Sequence, residues 1–363
     1  MPSAARRGGG DTWLVQLLET LTPHQVDLLA VFETPGELTD LASAACHRVA
    51  VLGRTGTARD ADLTTLAEPL ARVLTREEPQ VTVHWSPRAH VYGTRARQVI
   101  GRNGVAWVQH VIPSDFWLHK LANAYPAQVV VCVSCAVADA HRSLYPDQPV
   151  VVLHPGVGGS PASLGKAEAR GNLKVPRDAL LIGVVGRVEP WKGQDVAVHA
   201  VHLLRAQGLP VHALLIGETR SPTWPAFASE VRTLIAELGL AQHVSFTGQL
   251  AAPRFTLASL DVLVCSSRQE GFSLVVAEGM AAGVPVVATR CGGPEDLIDD
   301  GVNGLLVRAE DPAALAEAVA RLATDPALAS GLAAAGRATW AGRFTARHGA
   351  ERFLVLVQGL VGS

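Results

Sequence analysis

The feature that most constrains the fold of this chain is a regular alternation of short apolar runs with longer helical stretches. The runs are rich in Val, Ile and Leu, and almost no hairpin signals separate them. Buried parallel strands have this composition because crossover helices cover both of their faces. We therefore predict a doubly wound α/β protein, with strands at 26–32, 48–52, 81–85, 105–111, 129–134, 150–154, 180–186, 211–217, 243–248, 261–267, 285–290 and 304–308.

The length of the chain predicts two domains. A single hydrophobic core stops growing at about 250–300 residues, whereas this chain has 363 residues. The boundary is expected at 158–178, which is rich in Gly, Pro, Ser and charge and has no apolar period. We expect Rossmann-like domains at 1–157 and 179–340.

Charge and composition exclude several classes of protein. A net charge of −2 gives no reason to expect a nucleic-acid partner. No apolar run reaches the ~20 residues of a membrane span, and the start MPSAARRGGGD lacks the apolar core of a signal peptide. Cys132 and Cys135 form a C-x-x-C without a second pair, so packed, reduced cysteines are expected rather than a metal site. We expect a cytoplasmic protein.

Two cations follow the predicted strand 180–186. The loop RVEPWKGQD contains Arg187 and Lys192, and Gly186 and Gly193 would let the backbone approach a ligand. Ligands of doubly wound sheets bind beyond the carboxyl ends of the strands. Two cations beside a helix N-terminus suit a diphosphate, and the alternative is a solvated loop. The scarcity of lysine in the chain favours the functional interpretation of Lys192.

Two carboxylates lie in the stretch SSRQEGFSLVVAEGMAAGVPVVATRCGG at 266–293. Glu270 lies in a predicted loop, and Glu278 lies within a helix of small apolar residues, where we expect it to be buried. A buried carboxylate needs a partner. Arg268 and Arg290 are the nearest cations, and the alternative partner is a ligand with hydroxyl donors.

The start of this predicted helix completes a second anion site. Its first backbone N–H groups have no partner within the helix and can bind phosphate; they belong to Gly271, Phe272, Ser273 and Leu274. Glu278 could then accept hydrogen bonds from a ribose, and Glu270 could reach the group beyond the phosphates. Together with Arg187 and Lys192, this pattern indicates a sugar nucleotide.

The same segments resemble the C-terminal half of a family 4 glycosyltransferase. The resemblance rests on the E-x7-E spacing from Glu270 to Glu278 within GRVEPWKG, VSFTG, EGFSLVVAEGMAAGVPVVAT and DGVNGLLV. It implies the GT-B fold, in which two Rossmann-like domains face a central cleft. It also implies retaining transfer of a hexose-type sugar from a nucleotide donor. No Asp-x-Asp metal motif lies beside the site, so we expect no metal and no other cofactor.

The N-terminal half resembles the same family. RRGGGDTWLVQLL is similar to its glycine-rich loop and first helix, which implies donor contacts at Gly9 and Gly10; a further donor contact is implied at Leu250. The resemblance implies that His84 and His110 face the cleft and that His110 contacts the transferred sugar. The family begins with an apolar strand where this chain has MPSAARR. Either the start is trimmed or misplaced, or the first sheet lacks that strand.

Two further segments bear on domain organisation and the acceptor. FTARHGAERFLVLVQGL resembles the family's terminal helix, which implies that 341–363 crosses back to the first domain. Within 86–102, Arg88, Arg95 and Arg102 recur every seven residues on one helix face. A solvated or ion-paired stripe is one interpretation, and contact with an anionic acceptor or membrane surface is the other. No amphipathic anchor accompanies the stripe.

The resemblance thus implies a glycosyltransferase. Its expected catalytic residues are Glu270, His110, Arg187 and Lys192, with His84 and Arg88 as acceptor-side candidates. Its expected partners are a UDP-, GDP- or dTDP-linked donor and a small-molecule or glycan acceptor with a hydroxyl group. The alternatives are an epimerase or hydrolase of the same fold, a non-catalytic sugar-nucleotide-binding subunit and a nicotinamide oxidoreductase. The last lacks a G-x-G-x-x-G motif.

Overall fold

A computed structural model describes residues 8–21, 26–45, 48–53, 63–99, 105–114, 116–159, 170, 175–176, 178–219, 223–248 and 253–361. The chain divides into two compact units, one formed by Met1–Gly156 with Ala346–Ser363 and the other by Val157–Thr345. Each predicted apolar run contains one strand. The strand pairs among these residues are parallel, so the predicted α/β class is confirmed.

The described strands of the first unit form two sheets. One sheet pairs β1 (Leu29–Phe32) with β2 (Arg48–Val51). The other has the order β3-β4-β5-β6 and consists of β3 (Thr82–His84), β4 (Val105–Gln109), β5 (Val129–Cys132) and β6 (Val150–Val152). Residues 1–7, which stand where the family resemblance implies an additional strand, lie outside the described residues.

Helices alternate with these strands. They are α1 (Gly9–Thr20), α2 (Glu37–Ala44), α3 (Ala67–Glu77), α4 (Pro87–Val99), α5 (Trp117–Asn123) and α6 (Cys135–Leu144). Local capping fixes where two of them begin. The Gly8 N–H donates to the Asp11 carboxylate at 2.9 Å, and the Val137 N–H donates to the Ser134 hydroxyl at 3.1 Å.

The second unit contains one six-stranded sheet with the order β12-β11-β10-β7-β8-β9. Its strands are β7 (Leu180–Val185), β8 (Val211–Ile216), β9 (Val244–Gly248), β10 (Val262–Cys265), β11 (Val286–Arg290) and β12 (Leu305–Arg308). The chain winds outward from β7 to β9 and then returns to the other side of β7. The strands β7 and β10 are therefore neighbours at a topological switch point, where sheets of this kind bind ligands.

Six α-helices are described in this unit, and a glycine in one of them permits close packing on the sheet. They are α7 (Gln194–Ala206), α8 (Phe227–Glu237), α9 (Pro253–Ser259), α10 (Leu274–Ala282), α11 (Pro312–Thr324) and α12 (Pro326–Arg343). A Cβ at Gly279 would lie 2.3 Å from the Leu263 side chain. Glycine at this position thus allows α10 to lie directly on β10.

The terminal helix α13 (Ala346–Val361) belongs to the first unit and contacts α1. Residue 341, where this returning segment is expected to begin, still lies inside α12. The boundary between the two units falls a few residues later, after Thr345. Most of the linker expected at 158–178 lies outside the described residues. None of the described helices combines the length and apolarity needed to cross a bilayer.

Candidate functional site

The loops that follow β7 and β10 are in direct contact. Gly193 has a φ of +64°, and a Cβ there would lie 2.0 Å from the Ser266 carbonyl oxygen. The Ser266 hydroxyl donates to the carbonyl oxygens of Lys192 and Gly193, at 3.2 and 2.8 Å. Only glycine allows this approach, which brings Lys192 beside the loop that carries Glu270.

Lys192 and Glu270, both predicted catalytic residues, form an ion pair. The Lys192 Nζ lies 2.6 Å from the Glu270 Oε1, and the Ser267 hydroxyl donates to the same oxygen at 2.7 Å. Burial by itself lowers the pKa of the Lys192 ammonium, but the Glu270 carboxylate outweighs burial and raises this pKa. Lys192 is therefore a cation that already has a carboxylate partner.

The two glutamates differ in burial. Glu270 is buried, with 8% of its surface exposed, whereas Glu278 on α10 is partly exposed. The expectation that Glu278 is buried is thus wrong. The arginines considered as its partners bind other carboxylates, since Arg268 contacts Asp195 and Glu310 and Arg290 contacts Asp300.

The first turn of α10 has an unusual backbone. Ser273 precedes the helix with a φ of +71° and makes no side-chain capping bond. Gly293 allows this turn to sit tightly, since a Cβ there would lie 2.3 Å from the Phe272 Cα. Strained backbone of this kind clusters at functional sites. The turn contains the donors predicted for phosphate, which are Gly271, Phe272, Ser273 and Leu274.

Arg187 lies at the surface of the same region. Its side chain is 43% exposed, and its guanidinium lies 3.2 Å from the buried Glu189 carboxylate. Arg187 and Lys192 thus follow β7, while Glu270 and the start of α10 follow β10. The structure brings this predicted set together at the switch point of the second unit. Leu250, also predicted to bind the donor, lies outside the described residues.

In the first unit, His110 follows β4 and packs against two tryptophans. Its ring lies 5.6 Å from that of Trp13 and 5.1 Å from that of Trp85. A Cβ at Gly10 would lie 3.3 Å from the His110 ring, so the first turn of α1 lies against this ring. Burial lowers the pKa of His110 to about 4. The imidazole is therefore neutral at pH 7 and suits a hydrogen bond to a hydroxyl group.

His84 has a structural position instead of an acceptor-side one. Only 3% of its surface is exposed, and its Nδ1 lies 2.9 Å from the Nδ1 of His90. A Cβ at Gly93 would lie 2.4 Å from the His84 Nε2, which shows how tightly the ring is enclosed. His84 is therefore a core histidine, and its assignment to the acceptor side is corrected.

The arginine stripe on α4 is ion-paired and hydrogen-bonded. Arg88 lies 3.1 Å from the buried carboxylate of Glu33, and Arg95 donates to the Tyr125 hydroxyl at 2.6 Å. Arg102 lies outside the described residues. The ion-paired interpretation thus holds for Arg88, and its role toward an acceptor stays a prediction.

Comparison with known proteins identifies the unit that carries this cluster of charges. Residues 179–325 match the family described as "Glycosyl transferases group 1". By this similarity, residues 179–325 are called the group 1 domain below. The predicted resemblance to glycosyltransferases is thereby confirmed, and the group 1 domain contains Arg187, Lys192, Glu270 and Glu278.

Curated relatives also carry glycosyltransferase names. A D-inositol 3-phosphate glycosyltransferase of Streptomyces avermitilis is 37% identical over 207 residues, which is 55% of this chain and 42% of that protein. The chain therefore spans less than half the length of this relative. The lipopolysaccharide core biosynthesis glycosyltransferase LpsE of Rhizobium meliloti is 27% identical over 96% of both chains.

Solved structures share the fold at low identity. Anabaena HepE in complex with UDP-glucose has a TM-score of 0.86 at 22% identity, covering 99% of this chain and 98% of its own. Sucrose-phosphate synthase from Thermosynechococcus elongatus has a TM-score of 0.79 at 21% identity, covering 98% of this chain and 94% of its own. These neighbours have the GT-B fold, so the predicted fold is confirmed.

Three contacts that support the group 1 domain were not expected from the sequence. Arg268 forms two hydrogen bonds with Asp195, at 3.0 and 2.7 Å, and also binds the Pro190 carbonyl oxygen. Ser267 binds Glu270, and Glu189 binds Arg187. Only the fold brings Arg268 and Asp195 together, because they are far apart in the sequence. The other two contacts join residues within short polar stretches that have no distinctive spacing. No pattern in the sequence identifies them in advance.

Proposed function

We propose that this protein is a glycosyltransferase that moves a hexose-type sugar from a nucleotide-diphosphate donor to an acceptor hydroxyl with retention. The observation that carries this proposal is the contact between Lys192 and Glu270 at the switch point between β7 and β10. It joins one of the two loop cations to a carboxylate at the start of α10. The matching group 1 family supports the same activity.

The charges fit the departure of a diphosphate. As the bond between the sugar carbon and the phosphate oxygen breaks, negative charge grows on the leaving group. Lys192, Arg187 and the N-terminus of α10 would stabilise that charge in the transition state more than in the ground state. This set of donors would perform the task that a metal performs elsewhere, so we propose that the reaction needs no metal or other cofactor.

Retention is proposed to arise from attack on the front face of the sugar. The acceptor oxygen forms a bond to the sugar carbon on the side from which the diphosphate leaves, and the acceptor proton passes to a phosphate oxygen. Neutral His110 would bind a hydroxyl of the transferred sugar, and Glu278 would accept hydrogen bonds from the ribose. HepE was crystallised with UDP and with UDP-glucose, which supports testing UDP first among UDP, GDP and dTDP.

The test begins with binding. Thermal unfolding is measured with UDP, GDP and dTDP, and the cognate diphosphate at ~100 times its dissociation constant should stabilise the protein by about 2.7 kcal/mol. Transfer from the corresponding sugar nucleotide is then followed across a panel of acceptors. Nuclear magnetic resonance of the product gives its anomeric configuration.

The same assay checks the metal prediction. We expect equal initial rates with and without a chelator, because protein cations stabilise the leaving group. Activity that disappears with the chelator and returns with magnesium or manganese would contradict this. Donor hydrolysis or epimerisation without transfer would indicate a different enzyme of the same fold, and binding without any turnover would indicate a non-catalytic subunit.

A further inference from the structure

Glu189 lies between the two cations of the loop after β7, and its carboxylate is buried. Its side chain is only 1% exposed, and its Oε1 lies 3.2 Å from an Arg187 guanidinium nitrogen. Its carbonyl oxygen accepts a hydrogen bond from the Lys192 N–H at 2.9 Å. Burying a carboxylate costs free energy that a surface acid would not cost, so the position of Glu189 calls for an explanation.

Arg187 is held at both its backbone and its side chain. The Gln194 Nε2 donates to the Arg187 carbonyl oxygen at 2.9 Å, while Glu189 contacts the guanidinium. A guanidinium carries five N–H donors in one plane. The Glu189 carboxylate, 3.2 Å from one of these nitrogens, restricts where the guanidinium can lie, and the exposed remainder of the side chain stays accessible to an anion.

We propose that Glu189 is a positioning residue, which orients the Arg187 guanidinium toward the anionic diphosphate of the donor. This inference rests on the proposed function, since the diphosphate is the anion concerned. The competing explanation is that Glu189 only stabilises the loop, whose shape also depends on Gly193 and Arg268. The two explanations differ in one respect: positioning acts through Arg187, whereas loop stabilisation does not need it.

A double-mutant cycle separates them, with UDP as the probe and calorimetry as the measurement. We expect Glu189→Ala to lower UDP affinity about tenfold when Arg187 is present, the size of one lost charge-assisted hydrogen bond. In the Arg187→Ala background the same change should lower affinity by less than about twofold. Equal losses in both backgrounds would overturn the proposal.

Conservative variants make the test independent of folding defects. Glu189→Gln keeps an oxygen that accepts from Arg187 and should retain UDP affinity within about threefold. Glu189→Asp keeps the charge but withdraws it by one methylene, and it should behave like Glu189→Ala. If Glu189→Gln bound UDP more tightly than the wild type, the carboxylate would act against the ligand, and the proposal would fail.

Two controls complete the design. Glu317 is an exposed acid on α11, and Glu317→Ala removes one negative charge from the same unit without touching the loop. UDP affinity should be unchanged in this variant. Failure of the wild type to bind UDP, GDP or dTDP would reject the proposed function, whereas diphosphate binding with an additive cycle would reject only the role of Glu189.

Discussion

Glu270→Gln should destabilise the protein in the absence of ligand, because it removes the carboxylate that neutralises Lys192. The two side chains are 2.6 Å apart, with 9% of the glutamate and 23% of the lysine exposed. At an effective dielectric constant of about 20, their gross attraction is about 6 kcal/mol, and desolvation of the two ions offsets most of it. Breaking a fully buried pair costs about 3–5 kcal/mol.

Since Lys192 retains some solvent contact, we expect a smaller loss of about 2 kcal/mol, which corresponds to a fall in Tm of about 4–8 °C for a unit of this size. UDP should recover part of that loss, since its phosphate would become a new partner for the ammonium. The stabilisation by UDP is therefore expected to be larger in Glu270→Gln than in the wild type, while sugar transfer slows.

Differential scanning calorimetry with and without UDP measures both effects. The double variant Lys192→Met with Glu270→Gln is the control, because it removes the unpaired charge together with its lost partner. It should melt closer to the wild type than Glu270→Gln does. The reasoning is refuted if Glu270→Gln melts like the wild type, or if the double variant recovers nothing.

The remaining predictions concern backbone, pH and donor binding. Gly193→Ala should lower the free energy of unfolding by about 3 kcal/mol or more in a denaturant titration, because its Cβ would meet the Ser266 carbonyl oxygen. Gly208 is the control, since it also has a positive φ but has open space around it, and Gly208→Ala should cost about 1–2 kcal/mol. Burial lowers the pKa of His90 to about 4. The contribution of His90 to the free energy of unfolding is therefore complete above pH 6.5 and is lost as the pH falls. Unfolding measured at pH 7 and at pH 4 should reveal a loss of about 3 kcal/mol from this residue, which His90→Gln should abolish. Glu278→Gln should weaken UDP binding about tenfold or more by calorimetry, and an unchanged UDP affinity would contradict the proposed contact with the ribose.

The strands and the loops between them could be predicted from the sequence because their signals are local. An apolar run of Val, Ile and Leu indicates a buried parallel strand wherever it lies, and polar residues after it indicate the carboxyl edge of a sheet. The strand order is a different matter. Nothing in the runs themselves states that β7 and β10 are neighbours, although that adjacency brings Lys192 and Glu270 together.

Contacts between distant residues account for what the sequence could not predict. Lys192 and Glu270 are separated by 78 positions, so each loop by itself indicated an anion site and neither indicated that the cation and the carboxylate bind each other. His84 illustrates the same limit. A histidine after a strand can face a ligand or the core, and here Gly93 and His90 decide for the core.

Glu278 shows how a helix can place a carboxylate near a ligand without burying it. On α10, Val276, Ala277 and Met280 face the core, whereas Leu274, Glu278 and Ala282 are all partly exposed. Residues four apart lie on one side of a helix, so Glu278 lies one turn beyond Leu274 on the accessible side. If the donor phosphate binds at the start of α10, as proposed, a ribose lying along this accessible side would reach Glu278. A partly exposed carboxylate needs no buried cation to remain charged, and its oxygens could accept hydrogen bonds from the ribose hydroxyl groups. Glu278 would then lose its contact with water only when the donor binds. Glu270 is buried already, so its charge needs Lys192 as a partner whether or not a donor is bound.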